Sequence, residues 1–186
     1  MTLEVINLRV FDIGPMNEKF VFPEMDAIQF LMPMDIHYWF SAGTTLGLVR
    51  EPKGFIEWDT DIDIEIYVQN GKEPERIKNI LEDKGYELFR IMKDDENIIQ
   101  YAFISPSGII IDFYFYRKVD EELLCVCEHG TLVMPLRYIN KLELIRGYLV
   151  PSPVKDYLTF RYGDWETPIK KDRSWDTYIT KDGLRR

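Results

Sequence analysis

Four acids at alternate positions, Asp59, Asp61, Asp63 and Glu65, sit within the stretch FIEWDTDIDIEIYV. On an extended strand alternate side chains share a face, so Asp61 and Asp63 point the same way. Like charges that close repel, so one stays protonated or something positive sits between them. A hard divalent cation with oxygen ligands answers that demand, Mg²⁺ first and Mn²⁺ as its substitute. A third ligand is expected from a neighbouring strand. Asp112 is the candidate, because it interrupts the apolar run GIIIDFYFY, where a lone charge is expensive. A metal shared with Asp61 and Asp63 would supply the partner that a buried Asp112 needs. The bland reading is a solvated acidic face, and Asp112 and the turn upstream weigh against it. Asp59 reads as a loop cap or outer ligand, and Glu65 as structural.

That turn is Ser41-Ala42-Gly43-Thr44-Thr45, where a strand passes into a helix. Free N–H groups and hydroxyls at a helix start suit phosphate oxygens, and small residues let a phosphate come close. Gly43, Thr44 and Thr45 are therefore expected to bind phosphate, with Arg50 as a clamp. Lys53 reads as a loop charge and Trp58 as core. His37 lies in an aromatic strand and reads as packing, and His129 as a surface turn residue.

Period-two alternation in DIDIEIYV predicts a strand over 61–68, and HYWF a short one over 37–40. Helices are expected over 24–32, from TLGLVR, over 73–84 with Pro74 in the first turn, and from Val154 to Gly163 behind a Ser152 cap. Strands are expected over 86–91, 98–104, 109–116, 123–127 and 142–150, with Pro106-Ser107-Gly108 turning between two of them. The order implies an α+β fold with a mixed or antiparallel sheet flanked by helices.

With 186 residues the chain suits one domain with a real core, read here as 1–186 with a polar tail over 169–186 in which Trp175, like Trp165 before it, is an anchor. Acids outnumber bases 32 to 23, and no basic stripe exists for nucleic acid. Cys125 and Cys127 read as buried thiols in a reducing cytoplasm. No apolar run approaches the ~20 residues of a membrane span.

A glycine turn, an alternating carboxylate strand and one acid on a later strand resemble the nucleotidyltransferase fold. AGTTLGLVR at 42–50 and FIEWDTDIDI at 55–64 are closer to one branch, the LicD family of choline-phosphate transferases, relatives of fukutin and fukutin-related protein. YLTFRYGDWETP at 157–168 resembles that family's late segment, so Tyr162 and Asp164 are carried over as acceptor-pocket residues. The resemblance spans 37–168. Ala42, Thr45, Glu57 and Thr60 depart from the family pattern, where glycine, leucine, proline and an acid are usual. The resemblance implies transfer of a phospho-alcohol, choline phosphate or polyol phosphate, from a CDP-linked donor to a sugar or glycan hydroxyl. Transfer of a nucleoside monophosphate, a nucleotide-binding module without turnover, and a calcium-stabilised structural protein stay open as alternatives.

Overall fold

A computed structural model describes residues 3–9, 14–127, 130–168 and 184–185. His129, Trp175 and most of the 169–186 tail lie outside the described residues. The fold is α+β, with the main sheet mixed. Strands β1 (Leu3–Asn7), β4 (Glu87–Asp94), β5 (Asn97–Ile104) and β6 (Ile110–Val119) pair antiparallel in that order. β6 then lies parallel to β3 (Asp61–Tyr67), which pairs antiparallel with β2 (His37–Phe40). The far end of β6 continues into β7 (Glu122–Cys127), β8 (Gly130–Pro135) and β11 (Leu184–Arg185).

Helix α1 (Glu18–Leu31) starts six residues before the predicted 24–32. The Asn17 side chain caps the Lys19 N–H at 3.1 Å, and the helix tolerates Pro23 inside it. Val21, Met25 and Ile28 fill the core from one face, each contributing ~1.5–3 kcal/mol by burial. α2 (Ala42–Arg50) and α3 (Glu73–Glu82) fall where expected. The predicted 142–150 strand is a hairpin, β9 (Leu142–Ile145) and β10 (Tyr148–Pro151), turned at Arg146-Gly147 with φ of 52° and 95°. From that turn Arg146 donates to the carbonyls of Leu48, Glu51 and Pro52, satisfying carbonyls at the end of α2 and just beyond it. Helix α4 (Val154–Tyr162) is not capped by Ser152. Pro153 takes the cap position, and the Glu143 carboxylate accepts the Val154 N–H.

Candidate active site

β3 separates two chemistries. Ile62, Ile64 and Ile66 are fully buried on its core side. Asp61, Asp63 and Glu65 occupy the other side, and there they are covered too: Asp63 is 6% exposed and Glu65 1%. The solvated-face reading therefore fails. Parallel pairing sets Asp63 beside Asp112 in register, so both side chains stand on one face of the sheet. The Asp61 carboxyl is in hydrogen-bonding contact with those of Asp59 and Asp112. Burial lifts the Asp63 carboxyl well above the usual carboxylate range, and the charges of Asp61, Asp59 and Asp112 lift it further. Burial, then the Asp61 charge, raises Asp59 in the same direction. Asp112 is pushed up to about 7 by burial and then by Asp61, against the pull of Arg90.

The turn before α2 is tied to this cluster. Gly43 N–H donates to Asp63 Oδ2 at 3.1 Å, and the Thr44 hydroxyl accepts the Asp63 N–H at 2.8 Å. The helix start thus faces an anion, but the anion is the protein's own carboxylate. A Cβ on Gly43 would lie 2.5 Å from Asp59 Oδ2, so only glycine admits that carboxylate. Asp59, placed by the sequence as a cap or outer ligand, is a full member of the group. Ala42, standing where the family pattern has glycine, holds φ at 42°, and its N–H donates to the Tyr157 hydroxyl.

Two of the residues expected at phosphate, Thr45 and Arg50, are engaged away from the acids. Thr45 is fully buried and its hydroxyl donates to the Phe40 carbonyl at 2.7 Å, so it faces the core. Arg50 sits at the opposite end of α2, about 10 Å along the helix axis from Gly43. Its guanidinium is held by Glu51 at 2.7 Å and the Trp165 carbonyl at 3.1 Å. Lys53 pairs with Glu18 and Glu57 on the surface. Trp58 and His37 pack at the margin of the core. Cys125 is buried and Cys127 half-buried, both as free thiols.

Of the late segment, Tyr162 belongs near the acids. Burial raises its hydroxyl, and the charges of Asp63 and Asp59 contribute. Asp164 is exposed and accepts from the Thr167 hydroxyl at 3.2 Å. The residue of that segment with the most evident job is Arg161, which the sequence reading passed over. It is 1% exposed and pairs with Glu65 at 3.5 Å. Glu65 also accepts from Trp39 at 2.8 Å and Tyr116 at 3.0 Å, so its structural role holds.

Arg90 was likewise unforeseen. Its Nη2 lies 3.0 and 3.2 Å from the two oxygens of Asp112. It reaches across the sheet because the intervening register position on β5 is Ala102.

The donor set tests whether a metal fits. Among the described residues no three Asp, Glu, His or Cys side chains stand as a finished ligand array. Mg²⁺ does not require one: it binds through one or two carboxylates and keeps waters or substrate phosphates for the rest of its shell. Buried carboxyl groups in mutual contact, each shifted toward its neutral form, are the environment such an ion relieves. Asp59, Asp61 and Asp63 fit it.

Comparison with known proteins bears on this geometry. No curated protein matches the chain. Among solved structures it is similar to a lincosamide antibiotic adenylyltransferase with lincomycin bound, at 17% identity and a TM-score of 0.48, covering 74% of this chain and 80% of that one. The model of the family described as "LicD/FKTN/FKRP, nucleotidyltransferase domain" matches residues 35–153, from the lead into β2 to the start of α4. That range takes in Gly43, the acids of β3 and Asp112, and it stops short of Arg161, Tyr162 and Asp164. With well over half of its length matched and the acid strand inside the match, the chain belongs to the LicD/FKTN/FKRP family, as a transferase of the nucleotidyltransferase kind.

Proposed function

We propose that the protein is a metal-dependent transferase that moves choline phosphate or a polyol phosphate from a CDP-linked donor to a sugar hydroxyl of a glycan or glycoconjugate. The observation that carries this reading is the convergence of four carboxylates, Asp63 and Asp112 buried and Asp59 and Asp61 half-buried, from one loop and two parallel strands. Asp59, Asp61 and Asp63 would hold Mg²⁺, or Mn²⁺ in its place, which when bound offsets charge on the donor diphosphate. Gly43 and Thr44 keep Asp63 in place through its carboxylate and its backbone N–H. The acceptor oxygen forms the new bond to phosphorus, the bond to the CMP oxygen breaks, and the acceptor proton passes to an Asp112 oxygen. A group whose pKa lies at about 7 suits that exchange near neutral pH. Tyr162, whose hydroxyl feels the charges of Asp63 and Asp59, is the residue offered for the acceptor pocket. The chain is read as one domain acting in the cytoplasm, in keeping with its free thiols. No helix among the described residues is long and apolar enough to cross a membrane.

The test is product analysis with Mg²⁺ and a panel of sugar acceptors. CDP-choline and CDP-ribitol are offered in one arm, CTP and ATP in the other. Release of CMP with phospho-alcohol on the sugar is expected. Release of pyrophosphate from a nucleoside triphosphate, with none of the first product, would replace this reading with nucleotidyl transfer.

A further inference from the structure

We infer that Arg90 takes the place of a second cation at Asp112, so that the site binds one divalent ion rather than two. The inference rests on the metal-dependent reading above and specifies its stoichiometry.

Three features carry it. A single nitrogen, Nη2, straddles both oxygens of Asp112, at 3.0 and 3.2 Å. A planar guanidinium usually meets a carboxylate with two nitrogens side by side. Here the carboxylate closes around one positive point, as it closes around a chelated ion. The approach is also built by the sheet. Arg90, Ala102 and Asp112 occupy successive register positions on β4, β5 and β6, and the fully buried Ala102 leaves an open lane between them. A larger residue at that position would block the reach. Finally, the arginine stands on the more open side of the pair. The Arg90 side chain is 29% exposed against 4% for Asp112, so the guanidinium covers the approach from solvent to that carboxylate.

The remaining contacts of Arg90 are weak, which concentrates its role on Asp112. Its guanidinium carbon lies 5.7 Å from the centre of the Phe89 ring, and its buried Nε has no hydrogen-bond partner. Next to Asp112, Asp63 is held by Gly43, and Asp61 contacts both Asp59 and Asp112. Asp59, Asp61 and Asp63 would hold the one divalent ion, and Arg90 would be the cation at Asp112. With Arg90 in place, Asp112 keeps lone pairs for an acceptor proton but offers no chelating edge to a second metal.

The experiment is a titration of the intact protein with Mn²⁺, reading free Mn²⁺ by electron paramagnetic resonance. The wild type is expected to bind one Mn²⁺ per chain. Arg90→Met, which keeps length and removes charge, is expected to bind two, and Arg90→Lys to return the count to one. Arg90→Gln serves in place of Arg90→Met if circular dichroism shows the latter unfolded. Two ions in the wild type, or one ion at unchanged affinity in the neutral variants, overturns the assignment of Arg90 and leaves the metal site standing. No bound Mn²⁺ in the wild type sinks the metal-dependent reading itself, and this inference with it.

Discussion

The two ends of one strand face treat the same chemistry in opposite ways. At the inner end of β3, Glu65 is surrounded by donors: the Trp39 indole, the Tyr116 hydroxyl and the Arg161 guanidinium. At the outer end, Asp61 and Asp63 meet mainly other carboxyl groups. Both ends are buried, so burial does not separate them. Supply of positive charge does. A buried acid fully matched by donors is architecture, and a group in which acids outnumber the arginines that reach it is a place where a cation belongs.

The sharpest way to break this contrast is to remove the satisfied acid. Glu65→Ala leaves the Arg161 charge buried without its carboxylate and strips the acceptor from Trp39 and Tyr116. It should lower unfolding free energy by about 3–5 kcal/mol, the usual cost of breaking a buried pair from one side. Chemical denaturation measures it. A loss of under about 1 kcal/mol would place Glu65 with the surface ion pairs and erase the distinction.

The outer end should respond in the other direction. Asp112 has its carboxyl raised from 3.8 to about 7, and Asp63 is raised as well. The folded protein then holds protons that the unfolded chain releases, so its metal-free stability is full at low pH and drains as pH climbs through about 7. Melting in a chelator should fall between pH 5.5 and 7.5, and Mg²⁺ should offset the fall. Asp63→Asn should make that slope shallower while lowering transfer by more than about 100-fold, since even groups one step removed from a metal cost 10–100-fold. A melting point that rises with pH in the chelator would mean the acids are already paired.

The smallest effect concerns the turn that holds Asp63. Ala42 adopts φ of 42°, a region that costs a non-glycine residue roughly 1 kcal/mol or more. Glycine there relieves that strain but loosens the unfolded chain by ~0.4–1 kcal/mol. Ala42→Gly should therefore shift stability by less than about 1 kcal/mol with transfer retained. A larger loss would show that the Ala42 methyl, which is buried, packs more tightly than its strain suggests.

Much of this site was legible in the sequence, for reasons that also explain what was not. Period-two alternation needs no partner strand to be read, so β3 and its acid face were visible from residues 61–68 alone. Asp112 was visible because a charge inside an apolar run has a cost that neighbours in sequence already define. The turn was legible, but its contact with Asp63 was not. N–H groups at a helix start attract anions of any origin, and spacing does not say whether the anion is a phosphate or the protein's own Asp63. Arg90 was out of reach because its position depends on register. Counting back from the tight turn at Asp95-Glu96 sets Arg90 against Tyr101, whereas irregularities in β4, one of them between Met92 and Lys93, move it to Ala102. One residue of slip changes the face on which a partner is met. Arg161 escaped because a basic residue near the end of a helix reads as a solvent-facing charge, and nothing local reveals what that helix covers.

Among the described strands β3 and β6 form the single parallel pair, and they are joined by everything between Tyr67 and Ile110. Parallel neighbours cannot be connected by a tight turn, and closing so long an excursion is slow compared with making the hairpins inside it. The hairpin of β4 and β5 lies inside that excursion, so the chain emerging in order has Arg90 ready before Asp112 docks against Asp63. The acids of β3 and β6 can thus meet with the arginine that answers Asp112 already within reach.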